Sequence, residues 1–539
     1  MLMEIPKIEE AKRTPEVDLL LKFIAQLLLK IQEQELKLEA QAEKLQKQAE
    51  TIEILKEEIN RLKGHKNRPK INPSSMETAK RNKHNRHDHN NNQANRQALK
   101  REKIIVKATD VPEGSRLKGY QDYEIQELII EAKIVHYRLE RWQSADGQYI
   151  VAKLPEAIKG SHFGPKLRSY IEYQNNLGVT EPQIVEQLRA FGVKISTGEI
   201  SRLLIENKES FHKEKDAVLE VGISLSKYIN VDDTGARHDG KNGYCTHIGN
   251  ELFAWFSSTG SKSRINFLSL LRCGHKDYVV DKCALKYMTL EKLPKEQLAV
   301  LEKNQGVFNS KEEFISYLNK LNVKAERLVK IITEGALVGS ILYHGFSIDM
   351  KIISDDAGQF NIFQHALCWI HAERTINRLV PLNECHAKDI EIILSKFWTI
   401  YADLKAYKLR ANQEESKKIE KCFDELCATK TSYQLLNNAL QRLAKNKKEL
   451  LLVLKYPEIP LHNNLSENDI REYVKKRKIS GGTRSDLGRQ YRDTFISLKK
   501  TCRKLGVNFW EYLLDRNNKT NHIPYLPTLI RQTASFNSS

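Results

Sequence analysis

Ile24, Ile31, Leu38, Leu45, Ile52 and Ile59 recur at every seventh residue without a miss. That period belongs to a helix packed along a narrow apolar seam. Leu27, Leu55 and Leu62 hold the companion positions at the two ends, Gln34, Gln41 and Gln48 hold them in between, and Gly64 ends the pattern. A repeat this long exceeds what a helix needs to pack on its own globule. Residues 18–63 are therefore expected to form a self-associating coiled coil whose polar middle makes pairing selective; a surface helix packed on its own protein is the alternative. The next stretch, 64–103, is Asn, His, Lys and Arg with almost no apolar side chain (RNKHNRHDHNNNQANRQ). It cannot bury enough surface to offset the entropy of ordering, so it reads as a disordered basic linker. His84, His87 and His89 belong to that solvated tract rather than to a metal site. With a tail at 1–17, these segments leave residues 104–539 to build everything globular.

A chain of 539 residues is too long for one core and implies roughly three or four domains. No apolar run reaches the roughly 20 residues that span a bilayer. The richest stretch, 19–29, is broken by Lys22 and Gln26 and has no cleavage-site pattern behind it. Eight cysteines without a disulfide-like spacing fit a reduced, cytoplasmic protein. The net charge of +18 points to a polyanionic partner, because neutralising phosphates releases condensed counterions. Charge alone does not separate DNA from RNA or acidic lipid.

Residues 104–155 look β-rich: Glu124–Trp142 and Gly147–Leu154 carry β-branched and aromatic residues around a Ser-Ala-Asp-Gly turn. Within 156–222, Thr180 caps a helix with Pro182 in its first turn and Ile184, Val185 and Leu188 on one face. Gly192-Val-Lys-Ile-Ser then turns into a second helix, Thr197–Ile205. The pair has a helix-turn-helix pattern, a DNA reader or a purely structural hairpin.

From Tyr228 the pattern changes to strands. Tyr-Ile-Asn-Val runs into Asp232-Asp233-Thr234, followed by strand-like runs at 243–249 and 252–257 and a helix at 263–271. A second apolar strand, Met350-Lys-Ile-Ile-Ser, ends in Asp355-Asp356, and a third acid, Glu467, opens a helix after Asn463-Asn464. Two divalent ions need shared oxygen ligands on rigid elements, with positions left open for phosphate and nucleophile. Strand acid, strand acid, helix acid supplies that set. Asp233 and Asp356, adjacent along their strands, are expected to face away from it. Arg471 lies one helical turn beyond Glu467, and Lys475, Lys478 and Arg484 extend a basic track that fits phosphate contacts, or else a solvated face. Cys368 and His371 have metal-ligand spacing but no convincing second pair, so zinc is not expected and a structural role is. Cys273-Gly-His275 and Cys385-His386 complete no tetrahedron either.

These motifs together resemble the insertion-sequence-sixty-six transposases of bacteria over most of the chain. Val-Asp232-Asp233-Thr234 is similar to that family's Asp-Glu-Thr strand, and Ser354-Asp355-Asp356-Ala-Gly-Gln-Phe to its second-acid strand. Cys368-Trp-Ile-His371-Ala-Glu-Arg374 resembles its Cys-Trp-Ala-His-Ala-Arg-Arg box, and Asn463-Asn464-Leu-Ser-Glu467 its third-acid motif, with Asn464 a structural member. Arg477-Lys478 through Ser485-Asp486-Leu-Gly488 matches its closing pattern. The resemblance implies a ribonuclease-H-like mixed sheet at 223–516, with core segments 223–272, 346–379 and 455–480, helical insertions 273–345 and 380–454, and a tail from 517 to 539. It implies that Asp232, Asp355 and Glu467 are catalytic and hold two Mg²⁺ (or Mn²⁺) ions, Asp232 shared. It implies cleavage at element ends and transfer of the freed 3′-hydroxyl to target double-stranded DNA, with small accessory proteins beside a homo-oligomer. Departures are His462 in place of Asp, Asn468 in place of Arg, Asp233 in place of Glu, and no cysteine in 104–155, where the family has a small zinc module. Alternatives are a helix-turn-helix regulator, a nuclease without strand transfer, and a decayed element that binds but no longer cuts.

Overall fold

The computed structural model describes residue 15 and residues 103–107, 112–113, 115–126 and 128–536. The coiled coil expected at 18–63 and the basic linker at 64–103, apart from Lys103, lie outside the described residues. The chain divides into two units, 1–125 and 126–539. In the first, none of the described residues from 103 onward belongs to a helix or strand.

The second unit opens with a hairpin of β1 (Arg141–Gln143) and β2 (Tyr149–Val151), paired Trp142 to Ile150. Ser144 and Gly147 close its turn, with Gly147 at a φ of 82°. Among the described residues the β-rich expectation for 104–155 reduces to this hairpin, and those of 124–140 form no strand. The reason is physical: β-branched residues make a strand only with a partner edge and a buried face. Here the described residues of the run have no buried face, and Ile134 is 99% exposed.

Four helices follow: α1 (Pro165–Leu177), α2 (Glu181–Ala190), α3 (Thr197–Ile205) and α4 (Glu209–Ser224). Thr180 and Gln183 form a capping box on α2, as Ser196 and Glu199 do on α3. Gly192, at a φ of 84°, makes the turn between them. Ile184, Val185 and Leu188 meet Ile195, Ile200 and Leu204 in the core, so the sequence placed both helices within a residue or so.

The central sheet contains β3 (Tyr228–His238), β4 (Lys241–Gly249), β5 (Ala254–Thr259), β8 (Lys351–Ser354) and β9 (Gln364–Leu367), in the order β5-β4-β3-β8-β9. Asp239 and Gly240, both with positive φ, turn β3 directly into antiparallel β4. β3, β8 and β9 run parallel, which requires a crossover between β5 and β8. That crossover comprises α5 (Arg264–Leu271), β6 (Tyr278–Val280), α6 (Lys282–Leu290), α7 (Lys295–Lys303), β7 (Gly306–Phe308), α8 (Lys311–Lys320) and α9 (Glu326–Tyr343). Segment 273–345, expected as an insertion in a lobe beside the sheet, instead shares the main core: Val280, Leu318, Ile332 and Leu337 are buried in one cluster with Ile229 and Val231. Gly339 permits this, since a Cβ there would sit 2.2 Å from the Val279 carbonyl oxygen.

Segment 380–454 is helical, and its core is continuous with the sheet through Ile353, Ala366 and Leu367. After α10 (Trp369–Asn377) come α11 (Glu384–Tyr407), α12 (Gln413–Ala428), α13 (Gln434–Lys445) and two single turns, α14 (Lys447–Leu450) and α15 (Leu452–Lys455). Their core is built on Trp369, Phe397, Phe423 and Leu436. The chain then returns as α16 (Asn464–Ser480), α17 (Asp486–Lys504), α18 (Phe509–Asn518) and α19 (Leu526–Phe536). The tail expected at 517–539 therefore contains a docked helix, with Leu526 and Ile530 fully buried against the main core.

α17, inside the 223–516 region but beyond the core segment that ends at 480, covers the open edge of β5. The outward N–H groups of Ala254, Phe256 and Ser258 donate to Thr501 Oγ1 (3.2 Å), Ser497 Oγ (2.9 Å) and Asp493 Oδ2 (2.7 Å). Those acceptors are four residues apart on α17 and the donors two apart on β5, so helix and strand periods match along the edge. An unpaired edge would invite association with other chains. Ser497→Ala leaves the Phe256 N–H buried without an acceptor, which costs about 1–3 kcal/mol. Thermal and urea unfolding should show that loss, while the exposed Gln490→Ala on the same helix should change stability by less than about 0.5 kcal/mol. Equal effects would remove the edge-capping role.

Candidate active site

β3 and β8 are parallel neighbours in the register Asn230 to Ile353. Asp232 and Asp355 each lie two residues beyond that pair, so they stand side by side where the parallel pairing stops, Asp232 within β3 and Asp355 just past the carboxyl end of β8, the end of β8 being where open α/β sheets bind ligands. Glu467 comes from the first turn of α16. The three meet electrostatically. Burial pushes the Asp232 carboxyl up from 3.8 to about 7; the Asp355, Asp233 and Glu467 charges add to it, and the Asp233 N–H, at 2.8 Å from Oδ1, opposes it.

Polar contacts between α16 and the sheet hold this convergence. Asn463, fully buried, accepts from Asn230 Nδ2 and donates to the Val231 carbonyl, both at 2.8 Å. Its main-chain N–H donates to Cys368 Sγ at 3.2 Å. Next to it on the sheet, His247 is the cross-strand partner of Asp232. Its Nδ1 pairs with Ser466 Oγ at 2.9 Å, and its Nε2 lies 3.2 Å from Asp469 Oδ2. Burial alone would raise the Asp469 carboxyl, but His247 and Lys504 hold it far below the usual carboxylate range. Asn464, expected to be the structural asparagine, is exposed; Asn463 has that role. Alternation explains the difference, since only one of two adjacent residues at a helix start can face the sheet. Asn463, His247 and Asp469 carried no signal in the sequence beyond their type.

The neighbouring acids are tied up elsewhere. Asp233 accepts from Thr246 Oγ1 (2.5 Å) and Gln359 Nε2 (2.9 Å), on the face of β3 opposite Asp232. Asp356 accepts from Arg442 Nε (2.8 Å) and Asn446 Nδ2 (3.2 Å), which fastens the loop after β8 to the helical lobe. Cys368 is 1% exposed, its thiol is pushed up by burial, and its sulfur serves as the acceptor for Asn463. His371 and Arg374, from α10, reach the site: His371 Nε2 lies 3.6 Å and Arg374 Nη1 3.4 Å from Glu467 Oε1. Arg471, Lys475 and Lys478 are exposed along one face of α16, and Arg484 is exposed in the turn after it. Arg477, between them, turns inward to Thr234 Oγ1 at 3.4 Å.

Asp232 should leave a signature in stability. Its folded-state carboxyl binds a proton more tightly than the unfolded one, so between 3.8 and about 7 the native state carries the extra proton. Stability then falls as pH rises through that window and stays reduced above it. In metal-free buffer Asp232→Asn should be more stable than the intact chain above about pH 7, by on the order of 1–3 kcal/mol. The difference should vanish below pH 3.8 if the fold survives there. A difference that does not vary with pH would show that the carboxyl is not opposed by its neighbours.

Residues 342–491 match the family model described as "Transposase IS66 family", a span that holds Asp355, the Cys368–Arg374 box, Glu467 and the basic face of α16. The chain is also 41% identical over 302 residues to "Uncharacterized protein y4jO" of Sinorhizobium fredii (strain NBRC 101917 / NGR234). That alignment covers 56% of this chain and 94% of the relative. Through residues 342–491 the chain carries the domain of the IS66 family of transposases, and it is this family that the chain resembles.

Proposed function

We propose that this protein is a DDE-type DNA transposase that cuts at the ends of its element and joins them to target DNA. The observation that carries the reading is the burial of Asp232 among Asp355, Asp233 and Glu467 where the parallel strands β3 and β8 lie side by side. Like charges are gathered at such cost where a cation is to be held. The strand order β5-β4-β3-β8-β9, with β4 antiparallel to its neighbours, supports a ribonuclease-H-like core.

Asp232, Asp355 and Glu467 offer carboxylate oxygens only, the donor type that suits Mg²⁺ or Mn²⁺. Together the three carboxylates would hold the ions. Such ions, when bound, activate the attacking oxygen and stabilise the leaving one in an in-line displacement. The chain's own groups position the DNA. Arg471, Lys475, Lys478 and Arg484 present an exposed cationic face beside the acids for the phosphates flanking the scissile bond. Arg374 and His371 orient Glu467. α2 and α3 supply a helix-turn-helix for end recognition, and residues 18–63 supply self-association.

The test is strand transfer by the full chain, with a pre-cleaved end of its own element, supercoiled plasmid and Mg²⁺, and with small accessory proteins of the element added if the chain alone is inactive. Joined product should form and should drop by more than roughly 100-fold in Glu467→Gln, since even outer partners of metal ligands cost about 10–100-fold. Nicking without joining would indicate a nuclease. End-binding with neither would indicate a regulator or a decayed element.

A further inference from the structure

Three potential metal ligands come together well away from the acids. His275 follows a sharp turn at the end of α5, where Cys273 (φ 53°) and Gly274 (φ 91°) are both left-handed. Asp277 stands just before β6, and His344 caps the carboxyl end of α9. Each offers one ligand atom, and the three atoms lie within 4.8 Å of one another. His344 Nε2 is 2.9 Å from Asp277 Oδ1, and the His275 and His344 rings stack with centroids 3.5 Å apart. Among the described residues the His275 ring makes no hydrogen bond. Asp277 Oδ2 is buried without a hydrogen bond of good geometry, although the Ser340 hydroxyl is near enough to favour its ionised form. The Arg272 guanidinium donates to the Asp277 main-chain carbonyl, not to its carboxylate.

We propose that His275, Asp277 and His344 form a binding site for a transition-metal ion, of the class of Zn²⁺, Co²⁺ or Ni²⁺, that fastens the two ends of the crossover segment together. Two imidazole nitrogens and one carboxylate oxygen suit those ions and disfavour Mg²⁺ and Ca²⁺, which take oxygen ligands. Neighbouring ligand atoms around a tetrahedral zinc stand about 3.3 Å apart, from bonds of about 2.0–2.1 Å, so modest tilting of two exposed rings out of their stack closes the set. The position also favours a cation, because His344 stands where the carbonyl dipoles of α9 end. The ion would add a bond across 67 residues of chain, between Asp277 and His344. Fastening a loop of that length restrains the unfolded chain and so stabilises the crossover that carries β8 to its place beside β3. Cys273, the neighbour that spacing offers as a ligand, has its thiol directed to the Leu271 carbonyl instead.

The test uses full-length, chelator-treated protein and Co²⁺ titration followed by its visible absorption, beside Zn²⁺-dependent thermal unfolding. Under the proposed function the carboxylates of Asp232, Asp355 and Glu467 compete for divalent ions, so the reading is the difference between the intact chain and the variants. The intact chain should bind one more equivalent of Co²⁺ than His275→Ala or His344→Ala, or bind it at least about tenfold more tightly. Zn²⁺ should raise its unfolding temperature more than theirs, and excess Mg²⁺ should not displace the ion. His344→Ala also removes a hydrogen bond; His275→Ala does not, and remains decisive if the former misfolds. Equal Co²⁺ binding in the intact chain and His275→Ala, or displacement by Mg²⁺, would reduce the group to a surface ion pair. Either result is independent of strand transfer.

Discussion

The arrangement of this protein turns on one buried side chain amide. Asn463 joins β3, through Asn230 and Val231, to the start of α16, and its main-chain N–H joins both to Cys368 at the end of β9. Asp232 lies on the first of those elements and Glu467 on the second, while Asp355 ends the strand between β3 and β9. A primary amide donates and accepts at once, so a single residue can hold a carbonyl of one element and a side chain of another. Buried without these partners it would be costly, so the bonds act together or not at all.

That joint works against the charges it brings together. Asp232 is opposed by burial and by three other carboxylates, and the stability given up there is returned by contacts around it. The ion-pair group of Asp469, Glu472, Lys499, Lys500 and Lys504 ties α16 to α17, which itself closes the sheet edge along β5. On the far side, Asp356 uses its charge to hold Arg442 of the helical lobe. Adjacent acids in each pair thus have separate tasks: one faces the site and the other fastens the frame. Alternation of side chains along a strand and out of its end imposes that division.

Much of this was legible residue by residue. Caps at Thr180 and Ser196, the Gly192 turn, the strands leading to Asp232 and Asp355 and the helix carrying Glu467 all rest on local rules, and the structure has them in those places. Four residues were too few to mark β9 by pattern, and it exists because β8 offers it a parallel edge. The β-branched run at 124–140 shows the converse, strong propensity with no buried face and, among its described residues, no strand. The choice of Asn463 over Asn464 was likewise not local, since it depends on which face of α16 meets the sheet.

The amino-acid sequence by itself determined the two capped helices at 181–205, the strands that lead to Asp232 and Asp355, the helix that carries Glu467 and the basic face beyond it, because capping, periodicity and motif order are properties of neighbouring residues. Only the tertiary structure decided that segment 273–345 belongs to the core, that α17 seals β5, that His371 and Arg374 reach Glu467, and that His275 meets His344. Those facts depend on contacts between residues tens to hundreds of positions apart. Such contacts follow from which surfaces bury each other, and no spacing along the chain encodes that.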